Sequence, residues 1–219
     1  MPSLRREQTP AAPVPCYVTV AAPQAWAPVK ATPPAELDEL TLARAQRGDD
    51  RARRDLVDRY QRPVFALLSR MLFKSGQQQA LEDLAQETFL RVFKALPGFT
   101  RGGPARLSTW ILTIATNLAI DHLRKRRVPT DTLTDAREPA ANETSDAEAE
   151  RHRLAEVLRR AIDDLTPEYR AAFLLREYHE FEYAEIASTL DIDLGTVKSR
   201  LNRARAALRR SLEEVYRAR

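Results

Sequence analysis

Between Thr196 and Arg210 the chain sets out Lys198, Ser199, Arg200, Asn202, Arg203, Arg205, Arg209 and Arg210, and no acid follows until Glu213. Side chains of these types, gathered on one stretch, suit the binding of a polyanion. Guanidinium forks, ammonium groups and hydroxyls hydrogen-bond phosphate oxygens and the acceptor edges of bases. A solvated Arg-rich helix is the plainer alternative, but such helices normally interleave acids with their bases. A second cationic set, Arg124-Lys125-Arg126-Arg127, closes another helical stretch. The helix dipole favours each cation there by only about 0.3–1 kcal/mol, so four in succession read as a phosphate-backbone contact. A third set, Asp83, Gln86 and Glu87, stands outside the apolar stripe of its own helix and by itself reads as a solvated face.

Other chemistries lack their residues. The three histidines, His122, His152 and His179, are scattered, and Cys16 is the single cysteine. An intramolecular disulfide and a cysteine-based zinc site are therefore excluded. No glycine-rich phosphate loop, nucleophile elbow or zinc helix occurs. The expectation is a protein that is not an enzyme and needs no cofactor, metal or small-molecule substrate.

The 219 residues are 43% hydrophobic and 30% charged, with a formal net charge of +4 and a pI near 9.4. Acids and bases lie in separate blocks, which suits a chain that touches nucleic acid with some faces and something else with others. No apolar run approaches membrane-spanning length. Prolines follow Arg5 and Arg6 too closely for a signal peptide, so a cytoplasmic location is expected.

The elements that must hold these residues are helical throughout. Residues 1–35, rich in Pro and Ala without periodicity, read as a disordered extension. An amphipathic helix is expected from Glu36 to Arg47, then a long one from Arg51 to about Phe73 that Pro63 should kink, then one from Leu81 to Leu96 ended by Pro97-Gly98. A loop from Phe99 to Arg106 carries Gly102-Gly103-Pro104. Ser108 is the expected N-cap of the next helix, in which Trp110, Ile111, Ile114, Ala115 and Leu118 are candidate core; Trp110 reads as core or as a stacking platform. Residues 128–150 hold seven acids against one arginine and read as a flexible acidic linker. Beyond it, Leu154 to Leu165 gives one helix and Thr166-Pro167 starts another, to Glu177. Tyr183 to Leu190, the turn Asp191 to Gly195, and a helix with Val197, Leu201, Ala204, Leu208 and Leu212 on one side make a helix-turn-helix. Its first helix follows Glu182, a poor capping residue. The predicted fold is all-α: two small helical domains, 36–127 and 151–219, joined by the linker at 128–150.

Three motifs in order carry a family resemblance. Asp83-Leu84-Ala85-Gln86-Glu87-Thr88-Phe89, then Ser108-Thr109-Trp110-Ile111 with Ala115-Thr116-Asn117, then Gly195-Thr196-Val197-Lys198-Ser199-Arg200-Leu201 with Arg203-Ala204-Arg205 resemble the extracytoplasmic-function (group 4) sigma factors of the sigma-70 family. The resemblance runs from about Leu37 to Leu212. It implies an alternative sigma factor that binds core RNA polymerase, at the clamp coiled coil of its largest subunit and at its flap region. Asp83, Gln86 and Glu87 match positions that face the clamp. Promoter DNA would be met as duplex at −35 and as single strand at −10. Arg176, Thr196, Lys198, Ser199, Arg200 and Arg203 match positions at or near the −35 element. Phe99, Asn117, Arg124, Lys125 and Arg126 belong with the −10 element, whose specificity loop matches Phe99 and Gly102-Gly103. The acidic linker resembles the segment that threads the polymerase's RNA channel. The family also implies an anti-sigma factor, often membrane-bound. Asp193 stands where a proline is common, and Lys198 where some members have Arg; a point charge reads guanine less well than a planar fork. The alternative is a helix-turn-helix regulator that does not join the polymerase.

Overall fold

The computed structural model describes residues 35–73, 78–126 and 146–217. The expected disordered extension, except Ala35, and most of the expected acidic linker lie outside the described residues. Eight α-helices account for the fold among them: α1 (Glu39–Gln46), α2 (Asp50–Met71), α3 (Gln78–Ala95), α4 (Leu107–Arg126), α5 (Asp146–Asp163), α6 (Pro167–Glu177), α7 (Tyr183–Leu190) and α8 (Leu194–Arg217). The fold is all-α, as the periodicity predicts.

Local chemistry sets the helix ends. Asp38 caps α1 by accepting from the Thr41 amide at 2.9 Å, and Asp49 caps α2 through the Ala52 amide at 2.8 Å. α1 thus starts later than expected, because Asp38 is the better N-cap and leaves Glu36 outside the helix. α2 continues through Pro63 without ending. Thr166 caps α6, with Pro167 in its first turn. α5 starts at Asp146, so the last five residues of the expected linker are helical. Ser108 is not the cap of α4. The helix starts at Leu107, the Trp110 amide bonds to the Arg106 carbonyl, and Ser108 sits inside the first turn, where a different side chain serves the free donors.

α2 is the centre of the N-terminal four helices. Leu56, Tyr60, Val64, Leu67, Leu68 and Met71 are all buried, at steps of three and four, against α1, α3 and α4. In the C-terminal four, α5, α6 and α7 all pack on α8, whose Val197, Leu201, Ala204 and Leu208 are buried. Each such side chain removed from water is worth about 1.5–3 kcal/mol.

The two halves are in contact. α4 meets α6 and α7, and α2 meets α6. α4 buries Ile111, Leu112, Ala115, Leu118, Ala119 and Ile120, more of its circumference than one stripe requires, because it is covered from both halves. The buried Arg170 of α6 ties them together. Its guanidinium donates to the carbonyl of Met71 at the end of α2, to those of Asp163 and Leu165, and pairs with the Asp163 carboxylate at 3.6 Å. Arg70 of α2 lies over the Tyr178 ring at 4.7 Å, and Arg159 of α5 over the Phe73 ring at 3.4 Å.

Candidate nucleic-acid interface

α8 presents the first cationic set. With Val197 and Leu201 turned inward, Lys198, Ser199 and Arg203 are exposed and Arg200 half-exposed. Asp193, the departure from the usual proline, is the cap of this helix. Its carboxylate accepts from the Thr196 amide at 2.8 Å and the Thr196 hydroxyl at 2.6 Å. Those two bonds hold its pKa below the ordinary carboxylate value. Thr196 is thereby fixed at the start of the helix. Asp191, left-handed with φ of 50°, ends α7 and makes the turn tight. Glu182 proves a better start for α7 than its type suggests, because the Glu185 side chain reaches back and accepts from the Glu182 amide at 2.7 Å, as in a capping box. Arg203 donates to the Tyr169 hydroxyl at 2.9 Å and keeps its exposed guanidinium on the same face.

Arg176 is placed differently from the other residues expected at −35. It is half-buried, donates to the Phe181 carbonyl at 2.7 Å, pairs with Glu182 at 3.3 Å and lies over the Tyr183 ring. Those contacts hold the α6–α7 turn together.

The second set lies along α4 and the loop before it. Phe99 is half-buried and its ring meets that of Trp110 at 5.0 Å, tilted by 38°. Trp110 is therefore partly core and partly the floor under Phe99. Gln46 of α1 holds the Phe99 carbonyl at 2.7 Å. The Gly103 amide donates to the Thr100 carbonyl at 3.2 Å, and Gly102 has φ of +78°, the value that a type II turn demands of its third residue. This loop walls a cleft of about 340 Å³ that also touches Glu36 and Glu185. Asn117 and Lys125 are exposed. The side chain of Arg126 lies outside the described residues, as does Arg127.

Thr109, Thr113, Asn117 and Arg124 recur along one stripe of α4, and the C-terminal half touches that stripe at both ends. The Thr109 hydroxyl donates to Glu185 at 3.1 Å, Thr113 and Thr189 share a hydroxyl bond of 2.8 Å, and Arg124 pairs with Glu168 of α6 at 3.0 Å. Burial works against the Glu168 charge, but the backbone, Arg124 and Thr166 bonds outweigh it and lower its pKa. Three of these four residues are thus engaged by α6 or α7. Reading the sequence alone finds Asn117 and Arg124 but misses Thr109, Thr113, Glu185 and Thr189, whose partners are distant in the chain. Arg170 is also missed, although a charged residue four before Leu174 breaks the apolar stripe of α6 and signals a buried partner.

The third set stays outward on α3. Asp83 and Gln86 are exposed, Glu87 is half-exposed and bonded to Arg91 at 2.7 Å. Leu90, one turn on, is 41% exposed and adds an apolar contact to this face that the sequence reading passes over. Among the described residues no group of His, Cys, Asp and Glu could hold a metal ion, and no helix is long and apolar enough to cross a membrane.

Comparison with known proteins finds two family models along the chain. A family model described as Sigma-70 region 2 matches residues 56–128, and one described as Sigma-70, region 4 matches residues 155–208. The ECF RNA polymerase sigma factor SigE of Mycolicibacterium smegmatis is 37% identical over 158 residues, 71% of this chain; the chain spans 59% of that longer relative. The ECF RNA polymerase sigma-E factor of Escherichia coli K12 is 35% identical over 82% of this chain and 96% of its own length. Among solved structures, CnrH in complex with the cytosolic domain of CnrY matches with a TM-score of 0.55 at 25% identity, covering 81% of this chain and 97% of that one. With both sigma-70 regions in order, and a relative 35% identical over 96% of its own length, the chain belongs to the sigma-70 family as an extracytoplasmic-function sigma factor.

Proposed function

We propose that this chain directs core RNA polymerase to promoters through two units, residues 36–127 and 151–219, while the polymerase supplies the catalysis. The α3 face of Asp83, Gln86, Glu87 and Leu90 meets the polymerase clamp. The α8 face of Thr196, Lys198, Ser199, Arg200 and Arg203 enters the −35 major groove. Phe99, its loop, Asn117 and the cations from Arg124 to Arg126 take the −10 strand. Arg176 acts by shaping the α6–α7 turn under the recognition helix. The work is cytoplasmic, and an anti-sigma factor holds the chain until it is needed; the second chain bound to CnrH is the kind of partner this reading implies.

The observation that carries the reading is the α8 surface: polar and cationic outside, apolar inside, its first turn fixed by Asp193. Magnitudes assign the rest to the holoenzyme. Separating stacked DNA costs about 1.4 kcal/mol per step, and one base stacked on an aromatic returns about 1–3 kcal/mol. One or two captured bases do not hold a bubble of several steps. Engagement of the −10 strand also requires α6 and α7 to leave the α4 stripe, so two modest grips on a tether act together only after the halves part. The test is run-off transcription with core polymerase, beside a 2-aminopurine promoter that reports opening. Initiation at new sites and opening only with polymerase are expected. Unchanged start sites, or opening by the protein alone, would sink the reading; duplex binding without any association with polymerase would favour the simple regulator.

A further inference from the structure

Glu36 lies outside both family matches and precedes α1, yet its carboxylate is the cap of α4. It accepts from the Leu107 amide at 3.2 Å, the Ser108 amide at 3.3 Å and the Ser108 hydroxyl at 2.6 Å. The short segment that carries it is itself tied down. Arg59 of α2 donates to the Ala35 carbonyl at 2.9 Å, the Leu37 amide donates to the Tyr60 hydroxyl at 3.2 Å, and the Leu37 side chain is buried. These bonds join the segment before α1, the middle of α2 and the junction where the Phe99–Arg106 loop becomes α4. Glu36, Arg101 and Arg106 all line the same cleft.

We infer that Glu36 is a positioning residue for −10 base selection: it holds the first turn of α4, where the Phe99–Arg106 loop ends, and occupies the anion-attracting N-terminus of that helix. This rests on the assignment of the loop to the −10 strand. A helix N-terminus with free amides attracts phosphate. With Glu36 in place, a nucleic-acid backbone finds no such seat, and the strand enters the cleft base first. Without it, the loop loses its anchor and the seat opens. Two effects of opposite direction follow. Discrimination among bases falls, and sequence-independent affinity for single strands rises. Loss of stability alone produces neither.

The experiment uses the full chain assembled with core polymerase. Glu36→Ala, Glu36→Gln and Ser108→Ala are compared on promoters that differ by single bases in the −10 element, with single-strand binding by the full chain as a second readout. Thermal melting identifies any variant that is merely unfolded. Glu36→Ala is expected to lower discrimination between the preferred and substituted bases by about tenfold, the scale of a lost charged cap. It should also tighten binding to a non-cognate single strand. Glu36→Gln keeps one acceptor oxygen for Ser108 and should recover part of the discrimination. Ser108→Ala should lose a smaller part and carries the test if Glu36→Ala melts early. A uniform fall on every promoter, with no gain for the non-cognate strand, overturns the inference. Phe99→Ala separates the two levels. If it shifts base preference while the Glu36 variants do not, only the role of Glu36 fails. If it shifts nothing, the loop does not read the −10 strand and both fail.

Discussion

α4 and α8 are the two helices assigned to DNA, and they meet their surroundings in opposite ways. α8 is built as a one-sided wedge, with a dry inner stripe and an open polar face. α4 is covered on its apolar sides, and its polar stripe is touched by Glu185, Thr189 and Glu168 of the other half. The contacts on that stripe are hydroxyls and an ion pair, although the buried apolar residues of the two halves form one continuous cluster beneath them. Interfaces of that polar kind come apart more readily than cores do. On the proposed reading, the difference separates a duplex-reading face that is ready at all times from a strand-capturing face that must first be uncovered.

The strongest way to break this comparison is through Arg170. Arg170 is the buried charge that joins the two halves, so its removal should have the largest energetic effect. Arg170→Ala takes from the buried Asp163 carboxylate its paired guanidinium and withdraws the donors from the Met71, Asp163 and Leu165 carbonyls. A loss of about 3–5 kcal/mol is expected, read by urea denaturation. A loss below about 1 kcal/mol would mean that the pair is wet and the seam looser than the structure shows.

The second test is pH. His179 follows α6, is buried, and has no partner for Nε2 among the described residues. Burial, with Arg70 adding to it, drives its pKa down to about 4 from the ordinary 6.5. The folded state therefore binds the proton less well than the unfolded state does. Stability is fully present above about pH 6.5 and falls as the pH drops from there toward about 4, by as much as about 3 kcal/mol. Replacing His179 by Leu should flatten that slope in a series of denaturation curves. A slope unchanged by the replacement would assign the pH dependence to carboxylates instead.

The third compares the DNA faces directly. Arg200→Ala on the open helix should weaken −35 duplex binding by about tenfold, the scale of a single good base contact. Lys198→Ala should reduce the salt dependence of binding by about one phosphate's worth if that lysine meets the backbone. Neither should alter base preference at −10. A change there would show that the two faces are coupled rather than separate.

These contrasts also show what the chain reveals before it folds. The α8 stripe was legible because Val197, Leu201, Ala204 and Leu208 are spaced by the helix itself, and the Thr166-Pro167 start is chemistry between neighbours. The all-α fold follows from such local rules. The cap on α4 was not legible, because Glu36 and Ser108 lie 72 positions apart and no periodicity connects them. Ser108 took the role in the sequence reading only because it is a good capping type in roughly the right place. The stripe along α4 failed for the same reason: Thr109 and Thr113 are unremarkable on any helix until α7 is laid against them. Glu182 is a smaller case: its type makes it a weak cap, and the side chain of Glu185 three residues on makes up the difference.

The smallest expected effect tests the covering itself. Glu168→Gln removes the charge that holds Arg124, a largely exposed residue. Pairs of that kind contribute about 0.2–1 kcal/mol, so overall stability should hardly move. The consequence should appear in binding: with Arg124 released, the free chain should take a −10 single strand up to a few times more tightly, while −35 duplex affinity stays the same. Acid should reproduce the change in the wild-type chain. The Glu168 carboxyl is held below its ordinary pKa, so its contribution persists above the unfolded value and is lost as the pH falls through the folded one. Fluorescence anisotropy with a labelled −10 strand reads both effects. If Glu168→Gln binds no better than the wild type, Arg124 is not what the covering withholds, and the burden shifts to Thr109 and Thr113, where Glu185 and Thr189 sit against α4.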